Sequence, residues 1–449
     1  MRHGRTSLRM AALVGAAALL SAETCEDNLG DNEPRPVTFR LSVGPQNFQA
    51  NSTSEHPWLS SDGRFVAFAS FANNLTLNPS AFKEIFVRDR ELDQVHNVSL
   101  LSEVPDQTLI NHCDRPSMSA NGRYVAFEST GLLSGDPTGH DPAITNIYIR
   151  DRQTRAIKRV LETPWPTADF NQPSVTANGR YIAFQTIQQF AGFTYPGISL
   201  QVYVADMAPA IPTLTLVSRS MSGPATACNN HAGDPMISSD GQHVVFSSLA
   251  TDLNPDSGPP AVQEIFRATL DLTGGTPVVT GTQLVSRLSG LGARADGLCA
   301  RPTVSRDGRF VAFTSQAANL GGTDPSAYLT DMVSNTTTLV AQDVFLVQFP
   351  IFPGVFISIA ERQGISDDGR FVTYTTTVNT PPTQVFLRDM QGGRSMVSVN
   401  PVGGPGNSFS GGSMISGDGR WIVFGSDSDN LVVGDGNGVP DVFGHGPLR

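Results

Sequence analysis

A nine-residue pattern recurs seven times along the chain and constrains its fold more than any other feature. The first copy is Ser60-Ser61-Asp62-Gly63-Arg64-Phe65-Val66-Ala67-Phe68. Its Asp-Gly pair (Asn-Gly in some copies) favours a tight hairpin turn, and the apolar run after it is typical of a strand. The turn glycines are Gly63, Gly122, Gly179, Gly241, Gly308, Gly369 and Gly419. Their spacing of 50 to 67 residues indicates a repeat architecture.

Each repeat is long enough for four short strands. In the first repeat, the predicted strands A to D cover residues 57–60, 64–70, 84–88 and 96–100. Four strands per unit, repeated around an axis, predict an all-β, seven-bladed β-propeller with four-stranded blades. The seventh unit lacks a strand D, whereas residues 37–43 precede the first repeat and match the D strands. We therefore expect this N-terminal strand to complete the last blade and close the ring.

The motif resembles a known repeat family. Ser-x-Asp-Gly-Arg with its apolar continuation, together with the later run Ile85-Phe86-Val87-Arg88-Asp89, looks like the WD40-like propeller repeat of the TolB type. The resemblance covers residues 37–449. It implies a β-propeller fold and an exported, TolB-like protein that acts as a scaffold for binding a protein or a ligand.

The N-terminus has the organisation of an export signal. Residues 1–22 combine three early arginines with a short apolar run, which predicts a signal peptide. Residues 23–36 are polar and read as a tether. Cys25 is a candidate for lipid attachment, an alternative to simple export. We expect an exported protein, periplasmic or secreted, with cell-envelope association if Cys25 is lipidated. No other run is long enough to cross a bilayer.

Charge and motif content restrict the function. The formal net charge of -11 argues against a nucleic-acid partner. The chain has no G-x-S-x-G elbow, no H-E-x-x-H motif and no phosphate loop, so we name no catalytic residue and expect no cofactor. The main hypothesis is binding of an unknown protein or peptide. The alternative is a polysaccharide lyase or hydrolase that uses loop residues, with His56, His112, His140 and His231 on the same face.

The long loops define the predicted functional face. The A–B turns and most C–D turns are tight, whereas the D–A and B–C loops are long, and variable loops on a rigid scaffold commonly carry binding sites. The residue before each strand A should lie near the channel mouth. These residues are His56, Arg115, Gln172, Asp234, Arg301, Arg362 and Gly412. Three arginines on one ring could hold a carboxylate or phosphate; the alternative is that they pair with local acids such as Asp114 or Glu361.

One D–A loop differs from the others because it is apolar. Residues 344–357 include Phe345, Phe349, Phe352 and Phe356 and contain no charged residue. On the functional face, such a loop is a candidate contact for a partner or a hydrophobic ligand. The alternative is an extra hairpin that folds back onto its own blade.

Two weaker signals concern metal and disulfide chemistry. Asp435, Asn437 and Asp441 alternate in a Gly-rich loop, which makes a weak calcium candidate; hydrogen bonding within the turn is the alternative. Four cysteines in an exported protein are compatible with disulfides, and Cys228 with Cys299 is the first choice because they belong to neighbouring repeats. Unpaired thiols are the alternative.

The Arg of Asp-Gly-Arg and the Arg-Asp at the end of strand C recur in most repeats. Features that are present in nearly every blade serve blade stacking more often than a single site. We therefore interpret these residues as turn and ion-pair scaffolding on the face opposite the long loops.

Overall fold

The structure is a computed structural model. It describes residues 36–77, 79–100, 112–131, 133, 143–161, 168–259, 261–322, 325–342, 344, 346–352, 355–360, 362–378 and 380–448, with the backbone alone for 346–352, 355–360 and 377–381. These residues belong to one compact unit, Arg35–Arg449. The predicted signal peptide (1–22), Cys25 and the tether (23–36) up to residue 35 lie outside the described residues.

Short antiparallel strands follow one another in sets of four. Strand β1 is Val37–Arg40. Blade 1 contains β2 to β5: Ser54–Leu59, Phe65–Ser70, Glu84–Asp89 and Gln94–Asn97. Blade 2 contains β6 to β9: Cys113–Met118, Tyr124–Ser129, Asn146–Asp151 and Ile157–Arg159. Blade 3 contains β10 to β13: Phe170–Val175, Tyr181–Thr186, Gln201–Asp206 and Thr213–Leu216.

The second half of the chain continues the series. Blade 4 contains β14 to β17: Ala232–Ile237, His243–Ser248, Glu264–Asp271 and Val278–Leu284. Blade 5 contains β18 to β21: Cys299–Val304, Phe310–Ser315, Ser326–Asp331 and Thr336–Ala341. A separate hairpin follows, β22 and β23: Leu346–Phe352 and Val355–Ala360. Blade 6 contains β24 to β26: Phe371–Val378, Thr380–Asp389 and Arg394–Met396. Blade 7 contains β27 to β29: Ser410–Ile415, Ile422–Ser426 and Asp441–Gly446.

Regular helix is almost absent from the described residues. Two 3₁₀ turns occur at Pro45–Asn47 and Ala318–Leu320. In blade 6 the place of the inner strand is taken by a single bridge between Ile365 and Val372. The protein is therefore an all-β, seven-bladed propeller with four-stranded antiparallel blades, as the repeat predicts.

The N-terminal strand closes the ring. Strand β1 pairs antiparallel with β29, in the order β27-β28-β29-β1, with Val37 opposite Gly446 and Arg40 opposite Phe443. Leu41 extends this contact through a bond from its N–H to the carbonyl of Val442 (2.8 Å). The predicted closure is confirmed, because β1 covers the edge of β29 that would otherwise be open in the last blade.

Every blade carries the same aromatic pair in its core. The central residue of the second strand stacks on an aromatic residue of the third strand at ring-centroid distances of 5.7 to 6.3 Å. The pairs are Phe68–Phe86, Phe127–Tyr148, Phe184–Tyr203, Phe246–Phe266, Phe313–Tyr328, Tyr374–Phe386 and Phe424–Phe443. Offset stacking of this kind adds to the energy of burying the rings.

The turn glycines connect each blade to the one before it. Gly122 has φ +68, and a Cβ added there would lie 2.3 Å from Cδ2 of Phe65 in blade 1. A Cβ added at Gly63 of blade 1 would likewise overlap the side chain of Trp421 in blade 7. Each turn must therefore be glycine for two reasons, its left-handed backbone and the side chain pressed against it.

Each blade has a buried polar residue at an equivalent position of the third strand, which is the first residue of that strand in every blade except blade 6. These residues are Glu84, Asn146, Gln201, Glu264, Ser326, Gln384 and Asp441. In five blades the next backbone N–H donates to the hydroxyl of a serine two residues after the outer strand ends, at 2.9 to 3.1 Å, as between Ile85 and Ser99. The outer strand is thereby fixed by a polar bond beneath the long-loop face.

Glu264 makes stability depend on pH. Burial raises the pKa of Glu264 to about 7, although Arg294, 3.7 Å away, opposes the shift. Because the folded-state pKa exceeds the unfolded value, the stabilisation from this group is complete below about pH 4.5 and is lost as the pH rises through 7. We expect wild type to lose about 1–3 kcal/mol of unfolding free energy between pH 5 and 8 relative to Glu264→Gln, measured by urea unfolding. Blades 3 and 6 carry glutamine at this position, so the variant should fold. If the unfolding free energies of wild type and Glu264→Gln change in parallel with pH, the raised pKa of Glu264 is contradicted.

Candidate functional site at the channel mouth

Except for Arg362, which lies in no strand, the predicted ring residues lie inside the inner strands rather than before them. The prediction began strand A at residue 57, but β2 begins at Ser54 and contains His56. The pairing of the first two strands shifts register at this point in six blades, which is a β-bulge. A proline, which cannot donate a ladder hydrogen bond, follows the ring residue in blades 1 to 5 and favours the bulge there, whereas in blade 7 the ring residue is Gly412 and Ser413 follows it.

The bulge places the ring residues in a left-handed backbone conformation. The φ values are +53 for His56, +43 for Arg115, +56 for Gln172, +55 for Asp234, +54 for Arg301 and +61 for Gly412. For residues other than glycine this conformation costs about 1–2 kcal/mol each. Five such residues at equivalent positions mark a strained ring, and strain of this kind clusters at binding and catalytic sites.

Hydrogen bonds between neighbouring blades offset part of this strain. The backbone N–H of Gln172 donates to Oε1 of Glu128, and that of Asp234 donates to Oε1 of Gln185, both at 2.7 Å. Arg115 also bonds to Glu128 (Nη1 to Oε2, 3.2 Å). Burial raises the pKa of Glu128, and Arg115 and the Gln172 N–H partly oppose this.

Side chains of the ring meet across the channel. Nη2 of Arg362, in blade 6, donates to Oε1 of Gln172 in blade 3 and to the carbonyl of Pro235 in blade 4, both at 3.1 Å. Arg301 pairs with Asp234 at 3.0 Å. The structure thus forms two side-chain pairs, Gln172 with Arg362 and Asp234 with Arg301, and Arg115 is close enough to lower the pKa of Arg362.

A second polar cluster lies between blades 1 and 2. Nδ1 of His56 bonds to Oδ1 of Asp114 at 2.7 Å, and Nζ of Lys83 contacts Asp114 at 2.9 Å and also Glu55. Burial would raise the pKa of Asp114, but His56 and Lys83 outweigh it and hold that pKa well below its usual range. The His56 side chain remains 44% exposed.

Glu55, His56 and Asp114 also have the spacing of a metal site. Their ligand atoms lie within 4.8 Å of one another. However, the Lys83 ammonium already contacts both carboxylates, which are 36% and 29% exposed. The three residues therefore belong to a Lys–His–carboxylate network in which Lys83 supplies one positive charge.

Aromatic side chains border this network. His112 packs edge-on against Phe71 and Phe82 at 5.8 Å, and Lys83 lies 5.6 Å from the Phe71 ring centroid. Phe71 is 38% exposed. An exposed aromatic surface beside polar groups is suited to ligand contact. His231 lies in the wall instead: its Nδ1 accepts from the Leu200 N–H, and burial lowers its pKa. His140 is outside the described residues.

The apolar loop of blade 6 is a hairpin. Strand β22 pairs with β23, with Leu346 opposite Ala360 and Phe349 opposite Ile357. Phe345 lies outside the described residues, and only the backbone of Phe349, Phe352 and Phe356 is described. The hairpin approaches the inner strand of blade 5, β18, which places it beside the channel mouth.

Asp435, Asn437 and Asp441 come together, but the chain's own donors occupy their oxygens. Arg40 contacts Asp435 at 3.0 Å and Asp441 at 3.4 Å, and Nε2 of Gln49 donates to both carboxylates. Nδ2 of Asn437 donates to Asp441. The Arg40 guanidinium takes the place a cation would need, so this cluster fastens the N-terminal segment to blade 7.

The suggested disulfide between Cys228 and Cys299 is absent. Both are free and buried, as is Cys113. Cys113 and Cys299 begin the inner strands of their blades and contact Ser129 and Ser315 on the adjacent strands, where blades 1 and 7 have the serine pairs Ser54–Ser70 and Ser410–Ser426. Cys113 and Cys299 therefore occupy the position at which blades 1 and 7 have a buried serine. Cys228 packs in a different hydrophobic cluster from Cys299, which keeps the two thiols apart.

The opposite face is built from repeated ion pairs and converging turns. Five arginines of the Asp-Gly-Arg motif form two-point bonds to an aspartate of the third strand, as Arg64 does to Asp89 at 3.0 and 2.8 Å. Turns of different blades also bond to one another: Ser61 N–H donates to the Ala120 carbonyl, and Ser61 Oγ to Asp367. This constricts the channel at the tight-turn face.

Sequence reasoning missed three residues that shape the site. Lys83, Glu128 and Arg40 each compensate the charge of another member, yet none lies in the repeated motif. A usable signal existed for Glu128, because it alone places an acid after the motif's Ala-Phe. Lys83 and Arg40 act across 31 and about 400 residues of chain, respectively, and no local pattern indicates such pairs.

Comparison with known proteins supports the fold. No known family model matches the chain, and no curated protein matches it in sequence. Among solved structures, an oligogalacturonate lyase in complex with manganese is 12% identical, with a TM-score of 0.52 over 92% of this chain and 93% of that one. The β-propeller domain of the Trilobed protease from Pyrococcus furiosus is 10% identical, with a TM-score of 0.51 over 88% and 95%.

TolB from Acinetobacter baumannii is also similar in structure. It is 13% identical, with a TM-score of 0.39 over 76% of this chain and 62% of that one. At these identities the likenesses establish a β-propeller and nothing finer, so the TolB-type relationship stays a prediction from the motif. The Pyrococcus domain is described as having an open velcro topology, whereas here β1 joins the last blade to the first.

A search of the described residues for a membrane-crossing helix, long and apolar enough to span a bilayer, finds none.

Proposed function

We propose that this protein is a binding scaffold that takes a protein or peptide on its long-loop face, at the channel mouth. The supporting observation is the contact of Arg362 with Gln172 and Pro235 across the channel. It gathers side chains of several blades at one point on a closed, rigid ring. The proposal includes export to the periplasm or beyond, on the pattern of residues 1–22, with Cys25 as a candidate lipid anchor.

The apolar hairpin provides the second element of the proposed surface. Residues 346–360 contain no charged side chain and lie beside the mouth. Apolar segments next to polar groups are typical of interface centres. The candidate contact residues remain Phe345, Phe349, Phe352 and Phe356.

A pull-down from cell-envelope extract tests the scaffold function. The bait is mature protein, and the variant replaces residues 346–360 with a Gly-Ser linker; Val344 is retained because it is buried and bridges to Thr376. We expect specific proteins to bind wild type, and we expect the amount captured by the variant to be at least tenfold lower. The control is Val333→Ser, which changes an exposed apolar residue in a C–D turn of the opposite face. Equal capture by all three baits would contradict the proposal.

The second candidate is a lyase or hydrolase acting on a polysaccharide. It is favoured by the His56–Asp114 pair, in which a carboxylate orients an exposed imidazole that can accept a proton. The lyase likeness shows the fold alone. Incubation with polygalacturonate and with a neutral glucan, followed by assays for unsaturated and reducing ends, separates the two functions. Turnover that is lost in His56→Asn would favour the enzyme; asparagine tolerates the left-handed backbone.

A further inference from the structure

We propose that the pairing of β1 with β29, called the seam here, is sensitive to acid: protonation of His445 on β29 releases Val37, Thr38 and Phe39 and uncovers the edge of the last blade. This inference concerns the closure of the ring and does not depend on the proposed binding function. It rests on the position of one buried histidine in the seam.

The seam differs from the other outer-strand pairs because no turn joins its two strands. In blades 1 to 6 a short connection links the third strand to the outer strand, whereas β1 and β29 come from opposite ends of the described chain. Thr38 and His445, which face each other, are 407 residues apart. Strand β1 has only four residues, and Val37 at its beginning is 57% exposed. The start of β1 can therefore leave β29 while the other strands of the blade stay paired.

Histidine occupies its position only in the blade that contains the seam. His445 lies two residues after the stacked aromatic residue of the third strand. The equivalent residues in blades 1 to 6 are Arg88, Arg150, Ala205, Ala268, Thr330 and Arg388. Arginine stays charged, and alanine and threonine stay neutral, as the solution becomes acidic. Blade 7 is therefore the one blade in which the side chain at this position changes its charge in mild acid.

The closed seam keeps the imidazole neutral. His445 is 6% exposed, and its Nδ1 shares a hydrogen bond of 3.0 Å with Oγ1 of Thr38 on β1. Burial lowers the pKa of His445 from 6.5 to about 4. Release of β1 exposes the imidazole to water and restores the higher pKa. Because the closed seam has the lower pKa, the stabilisation from this group is complete above about pH 6.5 and is lost as the pH falls through 4.

No charged side chain among the described residues offsets this loss, because burial is the one cause of the lowered pKa. Strands β28, β1 and β2 pack against β29. Strand β28 carries no charged residue, β1 carries Arg40, and β2 carries Glu55 and His56. Arg40 pairs with Asp441 at the other end of the seam. Burial raises the pKa of Asp441, so its protonation favours the folded state and does not make the seam sensitive to acid.

Two further cations lie close to the seam in the chain or in space. Arg90 stacks on Trp421 at 3.5 Å and on Phe39 at 5.3 Å, and Arg420 precedes β28. A like charge disfavours the charged form of an imidazole. Neither arginine can therefore stabilise a protonated His445 inside the closed seam.

Release of β1 uncovers a strand edge. The Leu41 N–H bonds to the carbonyl of Val442, so the alternation of an antiparallel ladder makes Phe39 and Gly444 the next bonded pair. Once Phe39 has left, the N–H and C=O groups of Gly444 are open to pairing. Such an edge is a template for a strand of another chain. Acid would thus convert the closed ring into one that accepts an added strand.

Hydrogen exchange of the full chain tests the acid response. Strand β1 is compared with β5, the outer strand of blade 1, whose residues Gln94–Asn97 occupy the same register as Val37–Arg40. We expect the protection of Val37–Arg40 to fall about hundredfold between pH 7 and pH 4, after correction for the intrinsic exchange rates, because the released imidazole binds a proton more tightly than the buried one. The protection of Gln94–Asn97 should not fall with it.

Two variants separate the proton from the packing of the seam. His445→Gln keeps a polar side chain that does not titrate, so the protection of β1 should become independent of pH. Thr38→Val removes the hydrogen bond to Nδ1 but keeps the imidazole. It should lower the protection of β1 at every pH and keep the hundredfold response.

An equal response of β1 and β5 to pH in wild type would overturn the proposal, and this comparison needs no variant. A response that persists in His445→Gln, or that disappears in Thr38→Val, would also overturn it. The titration of His445 in the intact protein, followed by NMR, gives an independent check. A midpoint near pH 4 supports the acid-sensitive seam, whereas a midpoint near pH 6.5 contradicts it.

Discussion

Removal of the closing strand should abolish the cooperative fold of the whole ring. A chain beginning at residue 44 loses β1, and with it Leu41, which is 2% exposed and packs among residues of blades 1 and 7. It also loses Arg40, so Asp435 and Asp441 remain buried without their cation. Truncating such a leucine costs about 2–5 kcal/mol, and orphaning buried acids costs about 3–5 kcal/mol. Together these approach the whole stability of a typical domain, about 5–15 kcal/mol.

Urea unfolding of the shortened chain, compared with one beginning at residue 36, measures this effect. We expect the shortened chain to lose its cooperative transition and to regain it when a synthetic peptide of residues 36–44 is added, but not with a scrambled peptide. In the intact chain, Leu41→Ala should cost about 2–5 kcal/mol and Phe48→Ala little, because Phe48 is 63% exposed. Similar losses for Leu41→Ala and Phe48→Ala would show that the strand does not hold the ring closed.

Alanine at a turn glycine should be far more costly where the added Cβ meets a side chain of another blade than where it meets nothing. Gly122 and Gly290 have nearly the same φ, +68 and +70, but a Cβ at Gly122 would overlap Phe65, whereas no atom lies within 4 Å of a Cβ at Gly290. The left-handed backbone therefore costs both variants about 1–2 kcal/mol. Gly122→Ala should cost a further 1–3 kcal/mol or so, because its Cβ would overlap the Phe65 ring.

A double-mutant cycle identifies the source of the extra loss. With Phe65→Ala as background, the additional cost of Gly122→Ala should disappear, which gives a coupling energy of about 1–3 kcal/mol. Chemical denaturation of the four proteins supplies the values. If Gly122→Ala and Gly290→Ala lose equal stability, or the cycle shows no coupling, blade contact is not why glycine occupies these turns.

Local repetition explains why the fold was predictable while the site was not. The Asp-Gly turn and the strand after it are formed by contacts within a few residues, and the same sequence pattern occurs seven times. The ring residues were identified as a set for the same reason. The backbone conformation of the ring residues was not predicted, because the bulge at His56 and its counterparts depends on the strand that pairs with them as well as on the residue that follows.

The partners of the ring residues depend on the distance between blades. Arg115 pairs with Glu128 of its own blade, whereas Arg362 reaches Gln172, 190 residues earlier in the chain. The expectation that local acids pair with the arginines thus fits Arg115, whereas Glu361, the acid next to Arg362, lies outside the described residues. Cys228 and Cys299 were chosen as a pair from neighbouring repeats, yet they pack in different clusters, because the propeller fixes thiol positions independently of sequence order.

The sequence by itself determined the architecture: seven units of four strands, closed by the segment that precedes the first unit. Turn and strand preferences are local, and repetition made them unambiguous. Only the tertiary structure decided which polar groups meet: Arg40 contacts Asp435 and Asp441, Lys83 joins Glu55 to Asp114, and Arg362 bonds to Gln172 across the channel. The physical reason is that electrostatic balance depends on distance and burial in space, and the ring sets both by bringing together side chains from blades far apart in the chain.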